Sequence, residues 1–349
     1  MDKRQNFLSA YPDGFFMDAA DLPSLTFYLQ KQGWISNEEK IESAQKPGEG
    51  NMNYVLRVNT GSRTFILKQS RPWVEKYPQI PAPTERTLVE SKFFQTVEKY
   101  PETGSFTPKL RGYDASNFIL ALEDLGEGAD FTYLYQKGKQ LTDSEIQSLV
   151  SFISALHRRT NGSAWGDFPD NREMRLLNHE HIFRFPFKEE NGFDLDTVQP
   201  GLQKISMIFK QNESLKQRIT TLGDVYLSQG TTLLHGDYYP GSWLKVKDGV
   251  KIIDPEFGFV GYPEFDLGVF LAQMVMAVQG ESVIRKILKD YDSGTLPDRE
   301  LLAGFAGTEI MRRLIGLAQL PLALSLDEKK TMLEKAAEAI LTGKIEKLF

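Results

Sequence analysis

The chain of 349 residues contains no cysteine, which excludes disulfides, thiol nucleophiles and thiolate zinc sites together. Histidine is scarce: His157, His179, His181 and His235 are the four present, so any metal here is held mainly by oxygen ligands. Long apolar runs are missing too. Residues 1–20 mix Asp2, Lys3, Arg4, Asp13 and Asp18 among their apolar positions, unlike a secretory signal, so the mature chain is predicted to begin here. The most apolar later stretch, 267–278, is too short to cross a bilayer and contains Gln273; it is predicted as a buried helix in a cytoplasmic protein with no membrane partner. Lys and Arg number 41 against 47 Asp and Glu, a net charge of −6 with no block of one sign. The extended basic footprint of a nucleic-acid binder is therefore absent, which leaves room for a local basic pocket. No internal repeat or low-complexity tract is found.

What is present is an ordinary globular mix, 41% hydrophobic and 25% charged. At roughly 150 residues per domain this length predicts two lobes. Residues 54–67 read as two β-rich runs joined at Asn59-Thr60-Gly61-Ser62, an antiparallel hairpin. A Pro-rich stretch, 72–83, is predicted as a loop. After it, Leu88, Val89, Phe93, Phe94 and Val97 recur at helical spacing over 84–99. A third β run, 118–122, ends in Glu123-Asp124-Leu125-Gly126-Glu127-Gly128, and the lobe boundary is placed there: 1–125 for the first lobe, 126–349 for the second. Beyond it, Thr142-Asp-Ser-Glu145 is a capping box ahead of a periodic helix. A weaker helical region covers 198–227, short β runs cover 231–234, 243–246 and 250–253, and helices continue from Phe265 to the end.

The chemistry sits on the loops between those short strands. His235-Gly-Asp237-Tyr-Tyr-Pro-Gly-Ser242 follows one strand and precedes another, and Asp254-Pro-Glu256 ends the next. Carboxylates at 237, 254 and 256 converging without cysteine or a histidine cluster suit a hard cation such as Mg²⁺, and with it phosphoryl transfer. In the first lobe Gly48-Glu49-Gly50-Asn51-Met52-Asn53 precedes the hairpin, where glycine lets backbone amides approach phosphate oxygens. Lys68 closes the second strand and Glu90 lies on the following helix, completing in sequence order the parts of a kinase nucleotide cradle.

Together the Gly-rich loop, Lys68, Glu90, His235-Gly-Asp237 and Asp254-Pro-Glu256 resemble the aminoglycoside phosphotransferase and choline kinase group, whose fold is that of the protein kinases. Within it the chain most resembles the 5-methylthioribose kinases, at 48–53, Lys68-Gln69, 235–242, Asp254-Pro-Glu-Phe257, Phe265-Asp-Leu-Gly268 and Met311-Arg-Arg-Leu-Ile-Gly316. The resemblance spans roughly Lys46 to Gln319. It implies an α+β, two-lobed protein-kinase-like fold, with a small antiparallel β-rich first lobe and a larger, mainly helical second lobe. It implies ATP and Mg²⁺ as cofactors and a small-molecule hydroxyl as acceptor, with 5-methylthioribose, and so methionine salvage, leading; these kinases are commonly homodimers.

Carried over residue by residue, Asp237 is the catalytic aspartate. Gly48, Gly50, Asn51, Asn53, Lys68 and Glu90 bind the nucleotide, and the backbone at Glu123 and Leu125 binds adenine. Asp254 and Glu256, with Ser242, hold the metal; Arg312, Arg313 and Trp73 meet the acceptor, Trp73 on a segment that covers it. This chain departs from the pattern at Tyr239 and Pro240, at Ser242 where the wider group has asparagine, and in the stretch between Glu75 and Thr84. These departures keep an amino-alcohol, aminoglycoside or other sugar acceptor open, and beside them a regulatory nucleotide-binding module without turnover. His235 is read as a scaffold residue and His179 and His181 as ordinary structure. Arg312 and Arg313 are adjacent, about 100° apart on a helix, so both need not face one point.

Overall fold

The computed structural model describes residues 2–48 and 52–349. The chain forms two compact units, Met1–Glu127 and Gly128–Phe349. Among the described residues no helix is long and apolar enough to cross a membrane.

The first unit runs α1 (Lys3–Ala10), α2 (Leu22–Lys31), β1 (Ser43–Gln45), β2 (Tyr54–Asn59), β3 (Thr64–Gln69), β4 (Trp73–Val74), β5 (Tyr77–Pro81), α3 (Arg86–Val97), α4 (Pro101–Gly104), β6 (Leu110–Asp114) and β7 (Ile119–Glu123). An antiparallel sheet in the order β1-β2-β3-β7-β6 organises it. Strand side chains alternate between faces. Leu56, Val58, Phe65, Leu67, Ile119 and Ala121 bury one face against Leu25, Tyr28 and Leu29 of α2. The same alternation puts Lys68 on the other face. The hairpin forms at the expected turn: Asn59 Oδ1 accepts the Gly61 N–H, and Gly61 has φ of 78°, a conformation that favours glycine.

The stretch 72–83, expected to be a loop, is a small ribbon, β4 paired with β5. Proline donates no ladder bond, but Pro78 and Pro81 lie on an exposed two-stranded edge where that donor is not required. The ribbon is fastened by Arg86, which is fully buried and donates to the carbonyls of Met52, Arg71, Trp73 and Pro83.

The second unit runs β8 (Gly128–Asp130), α5 (Asp143–Thr160), α6 (Arg172–His179), α7 (Leu202–Lys210), α8 (Glu213–Leu227), β9 (Thr232–Leu234), β10 (Trp243–Val246), β11 (Gly249–Ile252), β12 (Phe259–Gly261), α9 (Glu264–Met276), α10 (Glu281–Asp290), α11 (Arg299–Ile315) and α12 (Leu326–Thr342). The capping box at Thr142 and Glu145 starts α5 with both reciprocal bonds. The weak region 198–227 is two helices, because Asn212 caps α8 and ends the run of α7. Helix α9 is buried almost all round and packs on α11; a Cβ on Gly268 would stand 3.0 Å from the Ala306 nitrogen, so glycine sets that close approach. Two small antiparallel sheets, β11-β10-β8 and β12-β9, carry the loops between Leu234 and Phe259.

Candidate active site

In the first unit Lys68 pairs with Val55 on β2 and Leu120 on β7, and its ammonium lies 2.6 Å from Glu90 on α3. Their side chains are 8% and 0% exposed, so the pair is desolvated and rigid. Of the Gly-rich loop, Gly48 is exposed, whereas Gly50 and Asn51 lie outside the described residues. Asn53 is buried and its amide oxygen accepts bonds from Ser70 at 2.9 Å and Arg86 at 2.8 Å; that oxygen ties down the end of the loop. Glu123 ends β7 opposite Phe65, its backbone N–H donating to Lys109. The segment after it is clamped by Arg57, which reaches Asp124 and the Gly126 carbonyl; Leu125 lies between them. Trp73 is 6% exposed, with its indole N–H on Glu75, and is a packed residue of the ribbon.

In the second unit the loop 235–242 is built around glycine. Gly236 has φ of 83°, and a Cβ there would lie 2.1 Å from the Phe257 carbonyl oxygen. The His235-Gly-Asp237 and Asp254-Pro-Glu256 loops therefore touch backbone to backbone. Asp266 on α9 pins the first of them, accepting the His235 N–H at 2.6 Å and the Gly236 N–H at 3.0 Å. His157 approaches the same carboxylate at 3.4 Å and bonds Tyr291 through its other ring nitrogen. His235 is buried, with Nε2 3.0 Å from the Ile253 carbonyl; burial lowers its pKa, and the neutral ring acts as a brace, as its sequence context suggested. The Ser242 hydroxyl donates to the Asp237 carbonyl at 2.9 Å and closes the turn.

Asp237 projects towards α11. Its Oδ1 lies 3.3 Å from Arg313 Nη2 and 3.5 Å from Arg312 Nη2, so both adjacent arginines reach it, more than their separation around the helix required. Burial raises the Asp237 pKa, with Arg313 and Arg312 opposing. Tyr239, at a position of departure, lies beneath the Arg313 guanidinium at 5.0 Å; its phenol pKa is raised by burial and then by Asp237 and Asp254, which keeps it a neutral donor.

Asp254 takes a left-handed conformation, φ 61° and ψ 47°, which Asp adopts more readily than most residues other than glycine. Glu256 is buried on the following turn, and Asn171 holds the carbonyls of Glu256 and Gly258. Among the described residues no three His, Asp or Glu side chains gather as a ready-made metal-holding group. Asp237 is instead engaged by the guanidinium pair. Asp254 and Glu256 remain a hard oxygen donor set of two, and Mg²⁺ is usually bound by one or two carboxylates with substrate phosphates and water, so these residues fit it.

Sequence reasoning missed Asp266 as the clamp of the loop, Arg86, and Glu309 behind the arginines. Asp266 lay inside a recognised motif and was the most accessible of the three; Arg86 and Glu309 carry no local pattern.

A profile described as a phosphotransferase enzyme family matches residues 43–305. A methylthioribose kinase from Bacillus cereus strain B4264 is 24% identical, over 91% of this chain and 89% of its own length. Among solved structures, a microcompartment-associated aminopropanol kinase superposes with a TM-score of 0.52 at 15% identity, covering 91% of this chain and 95% of that one. A choline/ethanolamine kinase family protein from Mesorhizobium loti gives 0.51 at 11% identity, covering 93% and 98%. At such identities the structures speak to fold alone, and the fold is the two-lobed kinase-like α+β arrangement.

Proposed function

We propose, from the premise that this chain belongs to the phosphotransferase enzyme family and is an ATP-dependent small-molecule kinase, that its acceptor is a neutral sugar hydroxyl, with 5-methylthioribose first. The observation that carries this is the pair Arg312 and Arg313 at the Asp237 carboxylate. Two guanidinia within 3.5 Å of the acceptor-activating group offer several directed N–H donors to the hydroxyls of a sugar. A sugar ring matches that row of donors with several hydroxyl acceptors; a small amino alcohol offers fewer. The name of the Bacillus cereus relative supports the same choice.

In this reading Asp237 orients the acceptor hydroxyl and takes its proton, a contribution of about 10²–10⁴-fold in rate. Asp266 and the neutral His235 hold the loop so that Asp237 does not swing. Lys68, fixed by Glu90, binds the nucleotide phosphates, together with backbone groups of Gly48, Gly50 and Asn51; Asn53 steadies the end of that loop. The backbone at Glu123 and Leu125 binds adenine, on a segment held by Arg57. Asp254 and Glu256, with Ser242, would hold Mg²⁺, which when bound would supply charge neutralisation at the phosphates. Trp73, on the ribbon of the first unit, is the proposed acceptor contact from that unit.

The test is ADP release across 5-methylthioribose, ribose, choline, homoserine and an aminoglycoside. Turnover is expected with methylthioribose and lost in Asp237→Asn, which still binds MgATP. Turnover with choline or the aminoglycoside in preference would overturn the sugar reading. No turnover with any acceptor would favour a regulatory module.

A further inference from the structure

Behind the two arginines runs a buried polar chain to which the reaction above assigns no task. Glu309 lies on α11 one turn before Arg312 and Arg313 and is 2% exposed. One of its oxygens accepts the Arg312 Nε–H; the other accepts the Arg313 Nε–H at 2.8 Å and the Gln273 amide of α9 at 2.7 Å. Gln273 accepts in turn from the Tyr135 hydroxyl at 2.7 Å. Residues three and four apart on a helix are neighbours, so a single carboxylate at 309 reaches both arginines. With both Nε–H groups occupied, each guanidinium presents an Nη2 to Asp237.

We propose that Glu309 is a positioning residue: it gathers Arg312 and Arg313 into one fixed donor face for the acceptor and restrains them from closing fully onto Asp237. Charge supports this. Asp237, Glu309, Arg312 and Arg313 sum to zero; without Glu309 two cations would share Asp237 alone and draw in on it, covering the oxygen that must take the acceptor proton. Gln273 and Tyr135 lock the Glu309 rotamer from α9 and from the segment after β8. The inference rests on the proposed function, since the acceptor face is defined by that reaction.

The experiment measures steady-state kinetics for acceptor and ATP in the full chain. Glu309→Gln is expected to lower kcat/KM for the acceptor by about 10²-fold, the effect of a misplaced contact near the chemistry, with the ATP KM within about twofold of wild type. In an Arg312→Met/Arg313→Met background the same change is expected to move acceptor kcat/KM less than about twofold, because positioning through absent arginines is void. Acceptor kinetics unchanged in Glu309→Gln, an equal loss in the arginine-free background, or ATP and acceptor KM rising together would each overturn it. Where Glu309→Gln does not fold, Tyr135→Phe and Gln273→Met carry the test: acceptor KM rises about three- to tenfold if the lock is real, and a wild-type KM in both refutes it. Failure of the sugar-kinase reading is visible separately, in the acceptor profile of the wild-type protein.

Discussion

Replacing Glu90 by glutamine removes a charged partner of a lysine that is almost wholly buried. Lys68 Nζ lies 2.6 Å from the carboxylate, and the two side chains are 8% and 0% exposed. Breaking a buried pair by removing one charge costs about 3–5 kcal/mol, because the remaining charge loses that share of its compensation away from water. Set against a domain stability of roughly 5–15 kcal/mol, that is a large share, and it corresponds to a fall in Tm on the order of 10–20 °C for a unit of this size. Calorimetry or urea unfolding reads it, and the ATP KM should rise in the protein that remains folded. Lys68→Met/Glu90→Leu supplies the decisive arm. Replacing the whole pair with apolar side chains is expected to leave stability at or above wild type, by about 1–4 kcal/mol, while phosphoryl transfer falls at least about 10²-fold. A Glu90→Gln protein with wild-type Tm, or a double variant that still turns over normally, would refute the reasoning.

Gly236→Ala puts a methyl group 2.1 Å from the Phe257 carbonyl at a φ of 83°, so the two acidic loops must separate; the expected result is lower stability, by at least about 1–2 kcal/mol, and loss of kcat, read by thermal melts and ADP release. Lys210 on α7 is fully buried and its Nζ meets no hydrogen-bond partner among the described residues, so Lys210→Met is expected to stabilise the protein by roughly 1–3 kcal/mol. Burial lowers the Lys210 pKa from 10.5, so the unfolded chain binds the extra proton and wild-type stability rises with pH between the lowered value and 10.5. The advantage of the methionine variant should therefore shrink as pH rises through that window, as urea titrations at neutral and alkaline pH would show. For Asp237, burial raises the pKa above 3.8, and the proposed general base acts in its ionised form, so kcat/KM is expected to fall as pH drops through the raised value. The groups acting on it are Arg313, Arg312 and Glu309 from α11 and His235 from its own loop; Arg313→Met removes an opposing charge and should move the acid limb further up. A rate flat down to about pH 4 would contradict this.

How far each feature was legible follows from how local its cause is. The hairpin β2–β3 and helix α3 were readable because turn chemistry and periodicity act within a few residues. So was the capping box of α5, where Thr142 and Glu145 bond each other's backbone. Strand β6 was not: Leu110-Arg-Gly-Tyr-Asp114 shows no clean alternation, and its pairing with β7 carries a register shift. Helix α1 has almost no amphipathic pattern, with Phe7 its one buried residue. The ribbon at 73–81 was hidden by its prolines, which an exposed edge tolerates.

By itself the sequence determined which chemistry is available. The absence of cysteine, the carboxylates at 237, 254 and 256, Lys68 and the glycines around them set which groups are on hand for the proposed phosphate-handling site. Only the tertiary structure decided how those groups are shared. Asp237 meets arginines from a helix some seventy positions later, Asp266 holds the loop thirty positions before it, and Glu309 turns two neighbouring arginines towards one carboxylate. Such contacts arise from the close packing of α9, α11 and the loop after β9. Charged groups buried together there must satisfy one another, and no short stretch of chain encodes which partner each finds.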